Sequence, residues 1–343
     1  MTAQPPFAIL SAVPMPIVVT DARERVLAVN PPATELLGKN QVGHHVVTVI
    51  RQPPVLHAIS ECLGQGLQTE ARYVQKDHVH ETLYRVICTP VEGGGVLVSF
   101  QDVTSQETAG QMRRDFVANV SHELRTPLTS IQGFIETLQG PARGDAAAAE
   151  RFLATMAKEA ERMIRLVSDL LSLSQVEGEE RIRPTERVEL HGILKSVIRS
   201  LGPVADAAGV EMAIEGGTEE LWLRGDPDQL VQVFTNLAEN AVKYGGDGGK
   251  VVLSVHDVAR DPILGRGAVR VDVRDFGQGF DEMHTHRLTE RFYRVDSHRS
   301  RAVGGTGLGL AIVKHIVNRH KGRLRIESEI GKGSCFSVLL PAG

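Results

Sequence analysis

The chain has 343 residues, 42% of them hydrophobic and 23% charged, which is enough for two or three modules with their own cores and excludes global disorder. A formal net charge of −4 leaves no broad basic footprint and argues against nucleic acid as a direct partner. Cys62, Cys88 and Cys335 lie far apart in no metal-ligand pattern, so they read as reduced thiols of a cytoplasmic protein. The longest apolar stretch, residues 8–19, is broken by Ser11, Pro14 and Pro16, so neither membrane spanning nor export is expected.

In chain order, short strands are expected at Pro16–Thr20, Arg25–Asn30, Leu83–Val91 and Gly95–Asp102, with a short helix opened by Asn30-Pro31-Pro32. That is an α+β pattern. Helical spacing then takes over: Phe116, Val120, Leu124, Leu128, Ile131, Ile135 and Leu138 form one stripe, and Phe152, Met156, Met163, Val167, Leu170 and Leu171 a second, joined by a loop from Gly140 to Asp145. Two such helices make an antiparallel hairpin whose apolar stripe would stay wet, so a homodimeric four-helix bundle is expected. From Glu186 the pattern is α/β: helices near Leu190–Leu201, Pro227–Tyr244 and Leu308–His320, with strands at Lys250–His256, Gly267–Arg274, Gly322–Ser328 and Ser334–Leu340.

Four constellations carry chemistry. In the first, Phe116 to Leu128, His122 and Thr126 are four residues apart on a face other than the apolar stripe. A neutral imidazole nitrogen is a competent nucleophile for phosphorus, and a neighbouring carboxylate, Glu123, could hold the opposite ring proton; Pro127 should bend the helix just beyond. Taken alone, His122 reads as a surface histidine. In the second, Asn236, Asn240, Lys243 and Tyr244 share one helical face, presenting amides, an ammonium and a ring suited to a metal-bound triphosphate, with the Asn240 carbonyl offered to Mg²⁺. The third is Asp275-Phe276-Gly277-Gln278-Gly279 after a strand. A carboxylate there can accept from an exocyclic amine such as adenine's, although alone the run is ordinary turn chemistry. The fourth, Gly304-Gly305-Thr306-Gly307-Leu308-Gly309-Leu310, opens a helix whose free N–H groups suit phosphate oxygens. The loop before it carries Arg291, Arg294, Arg299 and Arg301 and is long enough for a lid.

In this order and spacing the four sites resemble the bacterial sensor histidine kinases of two-component systems, over nearly the whole chain from about Pro16. His122 matches the phosphoacceptor of the H box, Asn236 and Asn240 the N box, Asp275, Gly277 and Gly279 the G1 box, Phe292 and Tyr293 the F box, and Gly305, Gly307 and Gly309 the G2 box. Gly331 and Gly333 form a further glycine turn. The run Arg287 to Asp296 resembles the phosphate-regulon sensor kinases, and residues 1–105 resemble a PAS sensory domain ending in Asp102-Val103-Thr104. The resemblance implies three modules: PAS at 1–105, a dimerisation and histidine-phosphotransfer hairpin at 106–178, and an ATP-binding α/β sandwich at 186–343. It further implies ATP and Mg²⁺ as cofactors, phosphorylation of His122, transfer to an aspartate of a response regulator, and a phosphatase role for Thr126.

The chain departs from the family at His284-Thr285-His286, where a proline-containing run is usual, and it writes none of the N-terminal membrane helices of many relatives. Membrane association would therefore come through a partner or a missing segment. ATPases of the same nucleotide fold put Glu where Asn236 stands, and an amide cannot act as general base. Serine-directed kinases of that fold lack the hairpin. A degenerate, ligand-binding adaptor would lack key polar groups that this chain retains. In the PAS-like region His44, His45, His57, His78 and His80 read as surface or core histidines, with a haem ligand among them as the alternative.

Overall fold

The structure is a computed structural model that describes residues 8–76, 81–92, 94–180, 182–216, 221–262, 264–295 and 305–342. The chain divides into two compact units, Met1–Ala118 and Asn119–Gly343. The boundary falls inside one long helix.

The first unit is a five-stranded antiparallel sheet, ordered β2-β1-β5-β4-β3, from β1 (Ile17–Thr20), β2 (Val26–Val29), β3 (Thr69–Lys76), β4 (Glu81–Pro90) and β5 (Val96–Asp102). Between β2 and β3 lie α1 (Pro31–Leu37), α2 (Val46–Ile50) and α3 (Pro53–Gln65). Asn30 starts α1. Its side chain accepts the Ala33 N–H at 3.1 Å and the Ile17 N–H at 2.8 Å, and its amide donates to the carbonyls of Met15 and Val13. One buried amide thus caps the helix and fastens the segment leading into β1.

Sequence patterning found four of these strands and missed β3, α2 and α3. β3 reads Thr-Glu-Ala-Arg-Tyr-Val-Gln-Lys and lies at the sheet edge, paired only with β4, so its hydrophobic alternation is weak. The buried positions of α3, Val55, Ala58, Ile59 and Cys62, do follow helical spacing. His44 and His57 are exposed, and His45 caps α2 from the surface, which places these three outside any core. His78 and His80 lie outside the described residues.

The long helix α4 (Thr104–Gln139) passes through Pro127 and is followed by α5 (Ala146–Glu179), whose N-cap Asp145 accepts the Ala148 N–H at 2.9 Å. Phe134 and Phe152 stack with ring centroids 5.1 Å apart. The expected stripes are not buried in the single chain. Leu128 is 58% exposed and Leu171 68%, with Ile135 and Val167 also open, because a two-helix hairpin has nothing to lay that face against.

The rest of the second unit is a layered α/β sandwich. Its sheet, ordered β11-β12-β10-β9-β7, is antiparallel except for the parallel pair β7 (Glu211–Glu215) and β9 (Lys250–Val258). The other strands are β10 (Ala268–Asp275), β11 (Arg323–Glu329) and β12 (Gly333–Pro341), and β6 (Arg187–Glu189) pairs separately with β8 (Trp222–Arg224). Packed on the sheet are α6 (Leu190–Ala207), α7 (Pro227–Gly245) and a helix numbered α8 here (Gly309–Arg319). The short strands β6, β7 and β8 escaped the sequence reading. α6 runs beyond the expected stop at Leu201, through Pro203, because Leu201 and Ala205 both face the core. Cys62, Cys88 and Cys335 are buried free thiols, and burial pushes that of Cys88 up to about 12.

Candidate functional site

α7 positions the first half of the site. Asp226 caps it by accepting the Gln229 N–H at 3.2 Å, Pro227 occupies the first turn, and Leu230, Val233, Phe234, Leu237, Ala241 and Val242 turn one face into the core. With that face fixed, Asn236, Asn240, Lys243 and Tyr244 are presented together on the other side, and all four line one cavity of about 520 Å³. The spacing argument for this face therefore holds in three dimensions. The Asn236 Nδ2 is buried with no hydrogen-bond partner. An orphaned amide at a cavity wall costs free energy unless a ligand group completes it. Lys243 is paired with Glu239 at 2.8 Å.

The far wall comes from the end of β10. Asp275 is 4% exposed, and its Oδ1 accepts the Gly277 N–H at 3.0 Å and the Ser334 N–H at 3.3 Å. Burial raises the carboxyl's pKa above the ordinary carboxylate value, while those backbone donors oppose the rise. A Cβ on Gly277 would stand 2.5 Å from the Cα of Gly245, so glycine at that position lets the chain pass beside the end of α7. Gly279 also lines the cavity, and the Gly331 and Gly333 turn carries Ser334 to Asp275.

The third wall is the segment opening α8. Gly305, Thr306, Gly307, Gly309 and Leu310 line the cavity, while Leu308 is wholly buried and anchors the helix start. Gly307 has φ +76°, and its carbonyl accepts the Phe292 N–H at 2.8 Å. Phe292 thus closes this loop through its backbone, while Tyr293 lines the cavity and its hydroxyl meets His284 Nδ1 at 2.7 Å. That bond gives the unusual His284 a local role. Arg294 also lines the cavity and donates to the Gly305 carbonyl, and Arg291 pairs with Glu177 of α5. Arg299, Arg301 and Gly304 lie outside the described residues.

Sequence reasoning missed a fourth wall, the face of α5 carrying Arg165, Ser168 and Asp169. Asp169 accepts from the Thr306 hydroxyl at 2.6 Å, and burial raises its pKa against that hydrogen bond. Spacing within a hairpin helix carries no sign that such a carboxylate meets a loop 137 residues away.

His122 and Thr126 are exposed on α4, as expected of their shared face. The Thr126 hydroxyl donates back to the His122 carbonyl at 3.2 Å. Glu123 has partners that the sequence did not suggest. Its carboxylate is held by Arg162 of α5 at 2.7 Å, with Arg294 at 3.9 Å. Residues one apart on a helix point in different directions, and Glu123 is the one turned toward α5.

Comparison with known proteins agrees with this geometry. Residues 225–343 match the family of histidine kinase-, DNA gyrase B- and HSP90-like ATPases, residues 112–179 the His Kinase A (phospho-acceptor) domain, and residues 7–70 the PAS domain. The chain is similar to a sensor protein kinase WalK of Staphylococcus saprophyticus, 36% identical over 337 residues, covering 95% of this chain and 53% of that protein. To a WalK sequence of Staphylococcus aureus it is 34% identical over 335 residues, covering 95% and 78%. The chain thus spans about half the length of several relatives it matches. Among solved structures, histidine kinase ThkA, in complex with response regulator protein TrrA, shares the fold with a TM-score of 0.54 at 20% identity, covering 98% of each chain. With PAS, phospho-acceptor and ATPase matches in one order, and a cavity where the N-box, G1 and G2 positions converge, the chain belongs to the sensor histidine kinases.

Proposed function

We propose that this chain autophosphorylates His122 from ATP and passes the phosphoryl group to an aspartate of a response regulator. One observation carries the reading: residues from four separated motifs line a single cavity of about 520 Å³ that holds an unpartnered, buried Asn236 amide. In this reading Asp275 receives the adenine amine, and Gly277 and Gly279 leave room for the ring. Lys243 and Arg294 face the phosphates, and the start of α8 from Gly305 to Leu310 offers N–H groups to their oxygens. Asn240, with Asn236 beside it, would hold Mg²⁺, since that ion takes a few protein oxygens together with water and phosphate. The metal would neutralise charge on the transferring group.

His122 then forms an N–P bond as the bond to the β–γ bridging oxygen breaks and ADP leaves, and the imidazolium proton passes to solvent or carboxylate. Thr126 is the residue for orienting the water that hydrolyses the regulator's aspartyl phosphate to inorganic phosphate, once its hydroxyl leaves the His122 carbonyl. A homodimer would cover the apolar face left open by Leu128, Val167 and Leu171. The domain limits that accompany this reading are 1–105, 106–178 and 186–343. Among the described residues no helix is long and apolar enough to cross a membrane. Phosphate-response signalling is the narrower reading. It rests on the run beginning at Arg287, while the matched relatives bear another name, and transcript profiling of a deletion strain under phosphate limitation tests it.

γ-Labelled ATP tests the central claim. Acid-labile, base-stable label that disappears in His122→Gln is the expected result. Label that persists in that variant overturns the assignment.

A further inference from the structure

A carboxylate already engages the loop that the nucleotide reading gives to phosphates. The Thr306 hydroxyl donates to Oδ2 of Asp169 on α5 at 2.6 Å, and the same hydroxyl oxygen accepts the Leu308 N–H at 3.3 Å. A hydroxyl has one proton to give and lone pairs with which to receive, so these three groups form a relay that runs from the start of α8 to a carboxylate. Asp169 and Thr306 both line the cavity that holds Asn240 and Lys243. Burial raises the Asp169 pKa, the Thr306 hydrogen bond opposes the rise, and Glu239 adds to it. That is the pattern of a charge held where water is scarce.

We propose that Asp169 is a resident anion that competes with the phosphate chain of the nucleotide for the loop opening α8. The inference rests on the nucleotide reading given above. The start of a helix attracts an anion through its free N–H groups and its dipole, and here the Thr306 hydroxyl already links the Leu308 N–H to a carboxylate. Phosphate oxygens that take this donor displace the hydroxyl. They also bring negative charge up to Asp169 in a partly closed cavity, where salt screens like charges far less than at an open surface. An adenine held at Asp275 meets no such opposition. Asp169 therefore lowers affinity more with each phosphate the ligand carries, and a phosphate chain that wins the loop loosens it from α5.

Calorimetric titration of the full chain with adenosine, ADP and the β,γ-imido analogue of ATP tests this, in buffer without divalent metal so that the phosphates keep their charge. Asp169→Asn leaves an oxygen to accept from Thr306 and removes the charge. It should bind the ATP analogue on the order of tenfold more tightly than the wild type, the scale of coupling between neighbouring groups, with a smaller gain for ADP and none for adenosine. An equal gain for adenosine and the analogue means a cavity that has merely opened, and overturns the proposal. So does an analogue affinity that stays the same or falls, since Asp169 would then support the loop. Should the variant lose adenosine as well, its cavity has not formed and Ser168→Asp decides. Ser168 is exposed and lines the same cavity, so a carboxylate there adds charge at a position that no packing depends on. Weaker binding of the analogue with adenosine unchanged supports the proposal, and an unaltered analogue affinity overturns it. Wild-type protein that binds none of the three ligands would defeat the nucleotide reading itself, whereas ordinary binding that Asp169→Asn does not tighten defeats this inference alone.

Discussion

In the N-terminal unit the space between sheet and helices is filled by Val18, Ile59, Cys62, Val86, Cys88, Val98 and Phe100, all fully buried and in one cluster. In the C-terminal unit a five-stranded sheet parts from α7 at Asp275 and leaves a cavity walled by glycines, amides and charged groups beside apolar side chains such as Leu288 and Phe336. The first arrangement is what apolar burial alone produces, close-packed and chemically quiet. The second holds groups that burial penalises, an orphaned amide at Asn236 and a carboxyl at Asp275 with its pKa raised. What marks the C-terminal groups as a site is that Asn236 and Asp275 face one cavity together with Asn240 and Lys243.

The sharpest break of this contrast is on the cavity side. Asn240→Ala should lower autophosphorylation by about 10² to 10³-fold, the usual loss when one electrostatic contact to a transferring group is removed, with an unchanged thermal midpoint. A fall of only a few-fold would remove Asn240 from the metal site. Next comes the scaffold. Asn30→Ala deprives α1 of its cap and leaves the Ile17 N–H without its acceptor, which should cost about 2–3 kcal/mol. The loss should appear as a lower unfolding midpoint of the N-terminal unit, measured by denaturant titration, with affinity for an ATP analogue intact. Equal damage to nucleotide binding would deny the two regions their independence.

How much of this was legible follows the same division. The α7 face was readable because Asn236, Asn240, Lys243 and Tyr244 repeat at helical spacing within one element, and glycines announced close approaches at Gly277 and Gly307. Asp169 and Arg162 were not readable, since their partners Thr306 and Glu123 lie in other elements, and tertiary contact leaves no periodic trace in sequence. Glu123 adjoins His122 in the chain, while the cation that holds it belongs to another helix, which no local spacing reveals. In the N-terminal unit the alternating strands were visible, while β3, polar and at an edge, was not. A filled apolar core says which residues pack and nothing about what the unit senses.

A third test sets stability against function at one residue. Because burial raises the Asp275 pKa, its ionised form is disfavoured in the folded state. The folded chain then holds this proton where the unfolded chain has released it, so its contribution to stability falls as pH rises through the usual carboxylate range and stays low above it. Asp275→Asn keeps an oxygen for the Gly277 and Ser334 N–H groups and removes the charge. Without nucleotide it should unfold at a higher temperature than the wild type at neutral pH, and the difference should vanish near pH 3. It should also bind ATP poorly, since an amide donor facing the adenine amine repels it. A variant with unchanged nucleotide affinity would remove Asp275 from the adenine contact.

The smallest effect is expected at His320, which marks a part of the C-terminal unit where a buried polar group serves structure alone. Its Nε2 accepts the Asp226 N–H at 3.0 Å and its Nδ1 donates to the Ile316 carbonyl at 2.8 Å. Those two bonds require the neutral ring protonated at Nδ1, and burial lowers the pKa in keeping with it. Asp226 also caps α7 and pairs with Arg319 at 3.1 Å, so the imidazole secures the start of the helix that presents the site. As pH falls below the ordinary histidine value, the unfolded chain takes up a proton that the folded ring refuses, and stability declines by at most about 1.4 kcal/mol per pH unit for this one group. His320→Gln should begin less stable at pH 8 and lose less between pH 7 and pH 5 in denaturant titrations. Parallel pH profiles for variant and wild type would mean that the folded ring takes up its proton as readily as the unfolded one, which the Asp226 N–H at Nε2 forbids.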